Sequence, residues 1–181
     1  MTSGALISNI TIRRAAPTDA ARLAAFARAA FADTFGADNT PEDMRAYLAG
    51  AFGEATQRAE LEDSEVTVLL AEHGSGLAGY AMLRDGQVAA PVRSSSAIEI
   101  ARLYAGKQWI GAGVGSLLMR SCLNEARFRG KDAIWLAVWE RNARAIAFYT
   151  RWGFVDVGSQ SFQLGSDLQS DRVMARQVAE A

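Results

Sequence analysis

Residues 97–130 constrain the chain more than any other stretch. "AIEIARLYA" (97–105) is an apolar segment with strand character, and the loop after it carries Gly111, Gly113 and Gly115 at every second position. Val114, Leu117, Leu118, Ser121, Cys122 and Leu123 then lie mainly on one side of a helix, up to Gly130, which suits a C-terminal cap. A strand, a glycine loop and an amphipathic helix in direct succession set the helix N-terminus beside the strand end. The N–H groups there point outward and carry partial positive charge, and glycine removes the Cβ that would hold an anion off the backbone. Two readings stay open at this point: a loose turn, or a cradle for phosphate. Familiar nucleotide spacings do not fit. Counted from Gly111, the third glycine of G-x-G-x-x-G would stand at 116, which is Ser116, and no G-x-x-x-x-G-K-[ST] run occurs.

The rest of the chain supplies the setting. Its 181 residues suit one domain, 1–181, with a sizeable core. Lys and Arg nearly match Asp and Glu, for a net charge of −1, which disfavours nucleic acid as a partner. No apolar run reaches the ~20 residues of a membrane span, and "MTSGALISNI" has no basic segment ahead of an apolar one, so a cytoplasmic protein is expected. Cys122 and His73 are the only residues of their kinds, which argues against disulfides and metal centres. His73 is expected in an exposed turn, and Cys122 in a helix core.

The period of the apolar residues changes along the chain. "ISNITIRRA" (7–15) reads as a strand, and Pro17, Thr18 and Asp19 open a helix whose stripe is Leu23, Phe26, Ala27, Ala30 and Phe31. "TPED" (40–43) starts a second helix, with Thr40 as N-cap, and a polar helix follows near 54–62. Residues 65–86 read as two strands joined by a turn at 73–76, and a polar loop covers roughly 86–96. "DAIWLAVW" (132–139) is a strand covered on both faces, and "NARAIAFYTRWGF" (142–154) is a short helix ended at Gly153. Strands near 154–164 and 171–178 complete an α+β, three-layer (α/β) arrangement. Its central sheet is mixed but mostly antiparallel, with helices on both sides.

"LYAGKQWIGAGVGSLL" resembles motif A of the GNAT superfamily of acyl-CoA N-acyltransferases, [RQ]-x-x-G-x-[GA]. The preferred alignment sets Ile110 at the Arg/Gln position and Gly113 and Gly115 at the glycines; a shifted one uses Gln108, Gly111 and Gly113. Ile110 departs from the signature, although the backbone amides are unaffected. "WERNARAIAFYTRWGF" resembles the family's motif B, with Asn142, Ala145, Phe148, Tyr149, Gly153 and Phe154 in register. The resemblance covers roughly residues 8–178. It implies the GNAT fold, with a splayed strand pair that takes acetyl-CoA as co-substrate.

The resemblance also implies roles. Main-chain groups of Leu103, Tyr104 and Ala105 would pair with the pantetheine arm. The segment Ile110, Gly111, Ala112, Gly113, Val114, Gly115 and Ser116 would hold the pyrophosphate, and Asn142 would bond the pantetheine. The reaction is direct attack of a neutral amine on the thioester carbonyl within a ternary complex. Tyr149 is the candidate proton donor to the departing sulfur, against a role as a packing aromatic. Glu99, a carboxylate inside "AIEIA", is the candidate base, against a structural pairing with Arg102 or Arg93.

The N-terminal helices would supply the acceptor site, with Phe31, Phe35 and Glu42 as candidate substrate contacts. "AFADTFGADNTPEDMRAYL" and "FQLGSDLQSDRVM" resemble the bacterial spermidine/spermine N-acetyltransferase (PaiA-like) branch. This raises a polyamine acceptor, with Asp33, Asp38, Glu42 and Asp43 as attracting charges. A protein N-terminus, a lysine, an amino acid or another small amine stays open, as does a non-catalytic acyl-CoA-binding module. A monomer or a homodimer would serve equally, and no metal is implied.

Overall fold

The computed structural model describes residues 9–178, so the part of the first expected strand at 7 and 8 lies outside the described residues. In chain order, β1 (Ile10–Arg14) leads through a 3-10 turn (Pro17–Asp19) into α1 (Ala20–Phe35), followed by α2 (Pro41–Ala51) and α3 (Glu54–Glu62). The strands β2 (Val66–His73), β3 (Gly76–Arg84) and β4 (Ala97–Ala105) come next. The second half runs α4 (Val114–Phe128), β5 (Ala133–Trp139), α5 (Ala143–Arg151), β6 (Val155–Leu164) and β7 (Asp167–Gln177). Among the described residues no helix is long and apolar enough to cross a membrane.

Seven strands form one sheet in the order β1-β2-β3-β4-β5-β7-β6, and the β4–β5 pair is the parallel one. The last strand starts at Asp167, four residues before the expected 171, because it is the return arm of a hairpin turning at Gly165 and Ser166. Strand alternation sorts side chains into two cores. Leu69 and Ala71 of β2 join Val114, Leu118, Met119 and Cys122 of α4 on one face. Val68 and Leu70 join Leu23, Ala27 and Phe31 of α1 and Met44 of α2 on the other. The result is the expected three-layer arrangement.

Local chemistry sets the helix ends. Thr40 Oγ1 accepts the Asp43 amide at 3.1 Å, and Asn142 Oδ1 accepts the Ala145 amide at 3.1 Å. Gly130 and Gly153, with φ of +65° and +81°, end α4 and α5 where a side chain would be strained. His73 is the last residue of β2 rather than an exposed turn residue, and its half-buried ring lies 5.0 Å from that of Trp109.

Gly79 lets α4 sit close on the sheet. A Cβ there would meet Tyr104 O at 2.7 Å, Val114 Cγ1 at 2.9 Å and Leu118 Cδ1 at 3.0 Å. Gly79→Ala is therefore expected to lower unfolding free energy by about 1–3 kcal/mol, read by denaturant titration. Unchanged stability would mean that this seam is not tight.

Candidate active site

The sheet opens at its parallel pair. The β4 and β5 strands are in register only over Ala97–Glu99 and Ala133–Trp135. Directly afterwards β4 carries a bulge: Met82 faces Arg102 and Leu83 faces Ile100, leaving Ala101 as the extra residue. A bulge bends and twists its strand, so β4 turns away from β5 where their ladder stops. Beyond the break lies a cleft of about 520 Å³. One wall is Ile100–Ala105 of β4, and another is Ala137, Val138 and Trp139 of β5. β3 occupies one hydrogen-bonding edge of Leu103, Tyr104 and Ala105, so the other edge faces the opening.

The glycine loop lines the same cleft through Ile110, Gly111, Gly113, Gly115 and Ser116. Gly111 and Gly113 adopt φ of +80° and +98°, which L side chains rarely tolerate, and Gly113 is the residue before α4. No side chain caps α4, in contrast to Thr40 on α2 and Asn142 on α5. The first-turn amides of Val114, Gly115 and Ser116 are left for an outside acceptor. Arg144 and Arg151 of α5 add positive charge to the lining. Two expected members of the cradle behave differently. The Ala112 amide is spent on Trp109 O at 3.1 Å, and the Val114 side chain is buried in the core, leaving only its amide. Ile110, 43% exposed, presents no polar atom beyond the backbone.

Asn142 and Tyr149 line the cleft from α5. The Asn142 oxygen is engaged as the helix cap, which leaves its NH2 for a ligand. The Tyr149 ring lies between Phe148 at 5.4 Å and Phe154 at 5.8 Å. Burial, and to a lesser degree the nearby Cys122, pushes its phenol well above the ordinary value, so it is protonated at neutral pH.

Glu99 does not line the cleft, which corrects its expected place as the base. It precedes the bulge, in the closed part of the ladder, and sits opposite Arg84, with 3.8 Å between Arg84 Nη1 and Glu99 Oε2. Burial raises its carboxyl, opposed by Arg84 and then Arg102. Neither expected partner holds it. Arg102 instead binds Glu60 through two hydrogen bonds of 2.8 and 3.0 Å. Glu42 is likewise corrected as a substrate contact: it is exposed in the first turn of α2 and absent from the lining. Phe31 and Phe35 do line the cleft.

Asp171, which no sequence motif singles out as a site residue, lines the cleft and is 8% exposed. Burial, and then the like charge of Glu140, pushes its carboxyl up to about 6. Among the described residues its carboxylate has no hydrogen-bond or ion-pair partner. Tyr47, Trp139 and Phe162 are further lining residues that sequence patterning does not mark as belonging to a site. No spacing in the sequence announces them, because they converge from α2, β5 and β6.

Comparison with known proteins is consistent with this geometry. The chain matches the model of the acetyltransferase (GNAT) family over residues 25–154. It is 29% identical over 170 residues to an N-acetyltransferase of Lactobacillus delbrueckii subsp. lactis, covering 94% of this chain and 98% of the relative. It is 31% identical over 161 residues to an N-acetyltransferase of Mycobacterium tuberculosis, covering 89% and 99%. Among solved structures, PaiA N-acetyltransferase from Thermoplasma acidophilum, in complex with coenzyme A, superposes with a TM-score of 0.75 at 20% identity. That superposition covers 93% of this chain and 98% of the other.

Proposed function

The chain belongs to the acetyltransferase (GNAT) family, and from that premise we propose that it transfers acetyl from acetyl-CoA directly to a primary amine, with Tyr149 as the proton donor to the leaving sulfur. The observation that carries this reading is the uncapped, glycine-led N-terminus of α4 opening into a cleft between strands that have parted. A helix start with free amides suits the pyrophosphate of CoA, and Arg144 and Arg151 suit its remaining charge. The vacant edge of Leu103–Ala105 suits an extended amide-bearing arm, as does the NH2 of Asn142. Holding amine and thioester in one cleft turns a bimolecular step into a near-unimolecular one.

The residues that suggested a polyamine give that refinement little support. Asp33, Asp38 and Glu42 are exposed and none of them lines the cleft. Asp43 already accepts from the Ser166 amide at 2.6 Å and from Ser166 Oγ at 3.0 Å. The acceptor is proposed here only as a primary amine.

Thiol release measures the reaction. Acetyl-CoA is expected to raise Tm, by a free energy of about 2.7 kcal/mol at a hundredfold excess over Kd. Free CoA is expected to appear only when an amine is added. Binding without thiol release across spermidine, spermine, amino acids, peptides and arylalkylamines would favour a non-catalytic acyl-CoA-binding module.

A further inference from the structure

We propose that Asp171 is the general base for the acceptor amine, and that the rings around it select an acceptor carrying a single cationic nitrogen on an apolar body. The proposal rests on the acetyl-transfer reading above. Trp139 lies directly opposite Asp171 in the β5–β7 register. Its ring meets Phe35 at 5.9 Å, Phe35 meets Phe31 at 4.5 Å, Phe31 stacks on Tyr47 at 4.8 Å, and Tyr47 meets Phe162 at 5.6 Å. Phe162 lies opposite Gln169 in the β6–β7 register, two residues before Asp171 and so on the same face of β7. The rings therefore run from one flank of Asp171 round to the other.

Among the described residues lining the cleft, Asp171 is the one acidic residue. A single ammonium group gains an ion pair with Asp171 and the faces of the surrounding rings. Further charges of a polyamine would meet those rings with no counter-ion, at a desolvation cost. Arg102 also lines the cleft, but Glu60 neutralises it. The step balances without a further reactant. The ammonium gives one proton to the Asp171 carboxylate, and the neutral nitrogen forms a C–N bond to the acetyl carbon. The C–S bond breaks as the Tyr149 phenol protonates the sulfur, and the nitrogen's second proton leaves to solvent. The Asp171 proton then returns to the phenolate through solvent, leaving amide and CoA thiol.

The charged and titratable groups around Asp171 agree with a base that titrates near neutrality. Glu140, just beyond β5, repels its charge, and Tyr47 of α2 carries a phenol raised by burial and in part by Asp171 itself. Arg172, the next residue on β7, lies 3.6 Å from Asp156. A base pushed up to about 6 is ionised above that pH, so kcat/KM should rise with pH through about 6 and then level. Stability runs the other way: the raised carboxyl weakens folding when ionised, and that cost is relieved as pH falls through 6.

The test compares 2-phenylethylamine with spermidine, in wild type and in Asp171→Asn. We expect kcat/KM for phenylethylamine to exceed that for spermidine by about tenfold or more. In Asp171→Asn it should fall by about 100-fold or more and lose the limb near pH 6, with acetyl-CoA affinity unchanged. Asn is isosteric and removes an unpaired buried charge, so the variant should fold, and a Tm at or above wild type checks this. Preference for spermidine, or an Asp171→Asn profile like wild type, would overturn the proposal while leaving acetyl transfer standing. Absence of thiol release with every amine would overturn both.

Discussion

Gly113→Asp is expected to abolish acetyl-CoA binding. Gly113 has φ of +98° and stands immediately before the uncapped first turn of α4. A carboxylate at this position would cap the helix and occupy the place the pyrophosphate needs. Its charge would also repel that phosphate. Together these should cost about 3 kcal/mol or more, a factor of ~100 in Kd. Gly113→Ala is the control, since it carries the same backbone strain without the charge. Ile110→Gln should bind as wild type, because the Ile110 side chain is 43% exposed and carries no polar atom, and its amide already donates to Lys107 O at 3.4 Å. Calorimetric titration of the three variants decides the matter: undiminished binding by Gly113→Asp would remove the α4 N-terminus from the site.

Tyr149→Phe should leave acetyl-CoA affinity nearly unchanged and reduce kcat by roughly 100-fold or more, the usual worth of a placed general acid. The ring fills the gap between Phe148 and Phe154 in either variant, so packing is conserved. The buried phenol is protonated throughout the neutral range, so the loss should be independent of pH there. Equal kcat with a verified amine would assign Tyr149 to packing.

Much of the fold could be read from periodicity and caps. The β4 bounds, the Thr40 and Asn142 caps and the glycine terminators Gly130 and Gly153 all follow from local chemistry, which acts within a few residues. The glycine loop and its place before α4 were legible for the same reason: one contiguous segment carries them. The bulge at Ala101 was not, because Ala is neutral toward bulging and the distortion depends on both neighbouring strands. That bulge separates Glu99 from the cleft. The surroundings of Asp171 were not legible, because they come from Trp139 across the ladder and from rings on α1 and α2, more than 120 residues earlier in the chain. Local motifs report the glycine-loop side of the cleft well, whereas the aromatic side around Asp171 is a tertiary product.

The break after Glu99 has a mechanical consequence as well. It divides the sheet into two leaves, β1–β4 and β5–β7–β6, bound along a spine of three residue pairs. The α4 helix rests mainly on the first leaf, through β2, β3 and β4, and touches the second leaf at β5. Trp139, Phe162 and Asp171 ride on the second. The angle between the leaves therefore sets the span from the glycine loop to Asp171. Ile98 and Ile134 pair on that spine and lie outside the cleft lining, so a substitution there is expected to change the span while leaving the lining residues in place.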